Sequence, residues 1–199
     1  MKKIHDVLAT ISLWMARIGG LMLVAASFVI SAEIAARKLI VIPFSIGTEL
    51  STYALAAAGS WAFSYALLNR AHVRIDVIRN WTGPRTKFAL DLIALSALAA
   101  TAIILARFAW DTVETSWALG ARENTSLGTP LVIPQGLWFF GLVWFALISI
   151  EQLVLVALAL LRADFNAAAA IVAPPSVDDE IEEAIEAVDV TDAPAPVLR

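Results

Sequence analysis

Cysteine is absent from the 199 residues. That excludes disulfides, thiolate metal sites and a thiol nucleophile. Histidine occurs only at His5 and His72, which makes a membrane haem with paired axial histidines implausible and leaves too few for a histidine-rich metal centre. Charge is scarce, with 16% Asp, Glu, Lys and Arg against about 25% in soluble domains. No P-loop, dinucleotide fingerprint, G-x-S-x-G or H-E-x-x-H is present, so no enzyme signature stands out and no cofactor is expected. The basic residues are accounted for by membrane topology, which leaves nucleic-acid binding without support.

Apolar residues make up 60% of the chain, with a mean hydropathy of +0.78. A soluble domain holds about 45–50%. The acidic residues are concentrated at one end: eight of 18 lie between Asp178 and Asp192. Residues 1–173 carry 13 Lys and Arg against 10 Asp and Glu, a net +3. The chain therefore reads as one membrane unit, residues 1–173, followed by an acidic tail over 174–199. The tail is rich in Pro, Ala and acid, and is expected to be disordered because it holds too little apolar surface to fold alone.

A spanning helix needs about 20 apolar residues. Four stretches qualify, at about 13–36, 48–68, 88–110 and 134–156. Arg37, Lys38 and Pro43 end the first, Asn69 and Arg70 end the second, and Gly83-Pro84 turns the chain before the third. The first run is too long for the core of a signal peptide, and Arg17 interrupts it late. The expected fold class is an all-α membrane protein of four transmembrane helices. With the N-terminus inside, nine Lys and Arg flank the spans on the cytoplasmic side and three on the other. That bias predicts both termini in the cytoplasm of a bacterial inner membrane.

Ionisable residues in spans are functional candidates. Here Glu33, Glu49, Asp91, Arg107 and Glu151 all fall near helix ends. Arg17 to Glu33, for instance, is about 24 Å along a helix. The spacing pairs Glu33 with Arg37 and Arg107 with Asp111 on one face. Glu49 suits a helix N-terminus, and Glu151 can snorkel to the inner interface. Structural pairing or anchoring is the favoured reading of this set, ahead of a role in transport or in contact with a partner.

Ala54, Ala58, Ala62 and Ala66 recur every fourth residue. Such a stripe permits close helix approach, within this chain or to another subunit. Residues 69–87 read NRAHVRIDVIRNWTGPRTK. Val73, Val77, Ile78 and Trp81 share a face while Arg74 and Arg79 stay wet, which predicts a short interfacial helix on the cytoplasmic leaflet. Asp76 lies one turn from His72, so a structural bond suits that histidine at least as well as proton transfer. Thr129 and Pro130 open a run, TPLVIP, whose two prolines stiffen the approach to the last helix.

Together, the run Arg70-Ala-His72-Val-Arg74-Ile-Asp76-Val after the second helix and the run from Thr129 to Pro134 before the fourth resemble the small permease subunit of TRAP (tripartite ATP-independent periplasmic) transporters, the DctQ-like family. The likeness covers roughly Ile11 to Leu161, and Glu49 resembles an acidic residue such proteins carry at the start of the second helix. It implies a scaffold that packs on a large permease subunit and helps dock a periplasmic binding protein. Sodium-driven uptake of an organic acid would then take place in the large subunit. The candidate partner contacts are Ala54, Ala58, Ala62, Ala66, Glu33, Glu49, His72, Arg74, Asp76, Thr129 and Pro130, with the lipid membrane around them. An autonomous four-helix proton-coupled exporter, with Glu33 as its coupling acid, is the alternative. The position of Glu33 near the outer edge and the long inner loop argue against it, and the histidine count disfavours a respiratory membrane anchor.

Overall fold

The computed structural model describes residues 2–39, 46–70, 82–125 and 127–173, together with Ile181 and Ile185. Five helices account for most of them: α1 (Lys2–Leu39), α2 (Gly47–Leu68), α3 (Pro84–Leu119), α4 (Val132–Leu161) and α5 (Phe165–Val172). The one extended pairing among the described residues is an isolated antiparallel bridge between Arg122 and Pro130.

Each helix boundary has a local cause. The last turn of α1 carries Arg37 and Lys38, which complement its negative dipole end. Pro84 stands in the first turn of α3, where its missing N–H costs nothing. At the far end of α3, Gly120 takes the left-handed conformation at φ 57°, and the N–H groups of Gly120 and Ala121 close back on the Trp117 and Ser116 carbonyls. Asp164 caps α5 by accepting the Ala167 N–H at 3.0 Å.

The helices run past the expected spans. α1 starts at Lys2 rather than about residue 13, and α3 continues to Leu119 rather than stopping near 110. Residues 112–119, expected as loop, are helical because neither Gly nor Pro intervenes before Gly120. By length and composition three helices suit a membrane crossing: α1, α3 and α4. α2 is not among them. Its charge-free run is diluted by Ser51, Thr52, Ser60 and Ser64.

Packing follows the order α1–α2–α4–α3. α1 lies on α2, α2 on α4 and α4 on α3, while α5 closes against α4 and α3. Within a membrane the apolar effect does not hold helices together, so close packing and hydrogen bonds must do so. Both are present. A Cβ on Gly19 would stand 2.9 Å from the Ala58 Cα, so the α1 and α2 backbones touch there. Gly141 of α4 seats Ser60 and Trp61 of α2. The Trp61 indole N–H donates to the Leu137 carbonyl at 2.9 Å, and the Trp144 indole N–H donates to the Ser12 hydroxyl at 3.0 Å. The core gathers Leu67, Leu95, Phe145, Ile148 and Val156 under Ala168 and Val172 of α5.

Candidate partner interface

Two ends of the bundle carry polar chemistry. At the end where α1 finishes and α2 starts, Glu33 does more than meet Arg37. One carboxylate oxygen accepts Arg37 Nη2 at 2.6 Å. The other accepts the backbone N–H groups of Ile46 at 3.1 Å and Gly47 at 2.5 Å. α2 has no side-chain cap of its own from Ile46, so α1 supplies the acceptor its first turn lacks. Gly47 permits this approach, since a Cβ there would lie 2.7 Å from the Glu33 carboxylate and 3.2 Å from the Ile30 backbone.

Glu49, one turn on, ties α2 to the loop before α4. Tyr53 donates its hydroxyl to one carboxylate oxygen at 2.9 Å, and Thr125 donates to the other. The Thr129 hydroxyl faces the same carboxylate. Glu49 is buried, 7% exposed, and each oxygen has a donor. The loop is itself ordered by backbone bonds. The Glu123 N–H donates to the Thr129 carbonyl at 3.0 Å and the Leu131 N–H to the Ala121 carbonyl at 3.0 Å, with Pro130 bridged to Arg122. Thr48, Thr52, Tyr53 and Glu123 line a cleft of about 340 Å³ beside Glu49.

At the opposite end, the His5 ring nitrogen bonds Glu151 at 3.0 Å, and Gln152 Nε2 donates to the second Glu151 oxygen at 2.8 Å. Arg107 and Asp111 form the expected pair along α3.

The expected contact residues separate into three groups. Ala54 and Ala58 are buried within the chain, Ala58 under Gly19, while Ala62 and Ala66 are half-buried. Glu33, Glu49, Thr129 and Pro130 converge on the α2 start and its neighbouring loop. His72, Arg74 and Asp76, with the interfacial helix expected around them, lie outside the described residues, as does nearly all of the acidic tail. The sequence reading missed Glu33 as a cap, the grip of Tyr53 and Thr125 on Glu49, and the His5–Glu151 bond. Only the Glu49–Tyr53 spacing of four offered a signal.

Large apolar side chains stay exposed on the helices, while Glu33, Glu49 and Glu151 are bonded within the chain. Residues 26–159 match the family described as Tripartite ATP-independent periplasmic transporters, DctQ component. The chain belongs to the DctQ family. Comparison with curated proteins and comparison with solved structures each gave no match. DctQ proteins are the small membrane component of TRAP transporters, a transport class and not an enzyme class. The matched stretch takes in the Glu33 cap, the Glu49 anchor, the Ala54–Ala66 stripe and the Thr129–Pro130 loop, and it ends just inside α4.

Proposed function

We propose that this DctQ chain is a scaffold. It crosses a bacterial inner membrane four times with both termini in the cytoplasm, packs on the large permease subunit, and helps dock a periplasmic binding protein during sodium-driven uptake of an organic acid. The observation that carries this reading is the fate of the ionisable groups in and beside the spans. Glu33 caps α2, Glu49 anchors the 120–131 loop, Arg107 holds Asp111, Glu151 holds His5, and Asp91 is also engaged. A proton- or ion-coupling acid must be able to release its partners during the cycle. Glu33 and Glu151 instead join helices to one another and Glu49 joins a helix to a loop, and Glu33 is thereby a poor coupling acid for an exporter.

The fourth crossing is assigned to α2. Its 22 residues rise about 33 Å, and the two serines in its second half turn inward, with Ser60 2% exposed and Ser64 fully buried. A helix flanked on both sides by α1 and α4 tolerates such residues where a lipid-facing one would not. Large apolar side chains remain outward, Phe28 at 73%, Phe108 at 65% and Ile93 at 65% exposed. They supply surface for lipid and for the large subunit.

The test is reconstitution. Vesicles holding the large subunit, binding protein and a sodium gradient should take up substrate only when this chain is present, and the chain should co-purify with the large subunit. Full-rate uptake without it would overturn the scaffold reading, and transport by this chain alone would establish the exporter.

A further inference from the structure

At the Lys2 end of the bundle, α5 and the first turn of α3 enclose a half-open cleft of about 690 Å³. Its lining is Pro84, Arg85, Phe88, Phe165, Asn166 and Ala169. Phe88 and Phe165 meet edge to face at 6.4 Å and form an apolar floor, and Phe165 and Leu161 remain 64% and 83% exposed beside it. Arg85 belongs to the lining and is exposed; Arg162, three residues before Phe165 and outside the lining itself, is exposed as well. Neither arginine makes an ion pair among the described residues. Asp164, beside Phe165, points at its own helix and accepts the Ala167 N–H at 3.0 Å. The cleft is therefore apolar toward the bundle and cationic at its mouth.

We infer that this cleft holds one anionic phospholipid, with its phosphate at Arg85 and Arg162 and an acyl chain along Phe88 and Phe165. The argument is charge complementarity joined to depth. A basic mouth over an apolar groove at a membrane boundary matches an anionic headgroup above its chain, and about 690 Å³ is ample for headgroup and glycerol. A soluble anion would use the arginines and leave the phenylalanine floor wet. Placing the site in the cytoplasmic leaflet rests on the topology proposed above.

The full chain, purified in detergent and offered equal phosphatidylglycerol and phosphatidylcholine, is to be read by native mass spectrometry. A single bound phosphatidylglycerol is expected, preferred about 25-fold, since each basic side chain near a surface contributes about fivefold. Arg85→Gln should lower the preference about fivefold, and Arg85→Gln with Arg162→Gln should abolish it. Arg85→Lys should keep it, and Phe165→Ala should weaken binding of both lipids. Arg122→Gln, at the opposite end, should change nothing. Millimolar glycerol phosphate should not displace the lipid. Equal retention of the two lipids, displacement by glycerol phosphate, or a preference unmoved by the double arginine variant would each overturn the inference. Labelling of Asn166→Cys from the periplasmic side would overturn the topology while the lipid preference still reported on the cleft.

Discussion

The Glu33 carboxylate on α1 accepts the Gly47 backbone N–H on α2 at 2.5 Å. One side chain thus joins the end of one helix to the start of the next and also neutralises Arg37. Its loss leaves the first turn of α2 without an acceptor. Glu33→Ala should destabilise the chain by about 1–3 kcal/mol. Glu33→Gln should cost less, because an amide oxygen still accepts an N–H. Thermal unfolding in detergent measures both, and an unchanged Tm for Glu33→Ala would remove the cap from the account.

Two glycines give opposite expectations. A Cβ at Gly141 would stand 2.4 Å from Ser60 Oγ and 2.6 Å from Trp61 Cδ1, whereas a Cβ at Gly20 would meet nothing within 4 Å. Gly141→Ala should therefore cost about 1–3 kcal/mol by overpacking. Gly20→Ala, in mid-helix, should be neutral or stabilising by up to about 1 kcal/mol. Equal effects in a denaturation series would contradict the packing described.

Glu49 should control the order of the loop before α4. In Glu49→Ala the Tyr53 and Thr125 hydroxyls lose their acceptor. Amide exchange at Glu123 and Leu131, whose N–H groups close the loop, should then accelerate at least about tenfold, the equivalent of one hydrogen bond to a charged group. Unaltered exchange would show that the loop orders itself.

Topology is open to single-cysteine labelling, because the chain has no native cysteine. Asn80→Cys should react only from the cytoplasmic side and Asn124→Cys only from the periplasmic side. The reverse pattern would invert the proposed orientation.

Removal of the tail after Ala173 is expected to leave membrane insertion and co-purification with the large subunit intact. A truncated chain that no longer assembled would make the acidic segment a docking element.

Much of the helical architecture was legible in the sequence because apolar run length sets it. The Glu33–Arg37 and Arg107–Asp111 pairs follow from a spacing of four on one helix. Helix ends were less legible. α3 runs to Leu119 because polar residues such as Thr112 and Glu114 are compatible with helix and only Gly120 stops it. The contacts that define the candidate site were least legible. Glu33 reaches 14 residues ahead to Gly47, Thr125 reaches back 76 to Glu49, and His5 meets Glu151 across 146. No local period encodes such distances. α2 was expected to span on the strength of a run free of charge, yet it is not among the helices whose composition suits a crossing, because Ser51, Thr52, Ser60 and Ser64 dilute that run.

The seat of Trp61 on Gly141 has a mechanical meaning. Helices faced only with alanine can slide past one another, since each turn resembles the next. Trp61 lodges a bulky ring opposite the glycine and hydrogen-bonds a carbonyl one turn earlier, at Leu137. Displacing α2 along α4 by one turn, about 5.4 Å, would break that bond and move the ring off the residue that makes room for it. The pair therefore has a single register. A force applied along the bundle axis is passed on by these two helices rather than absorbed between them.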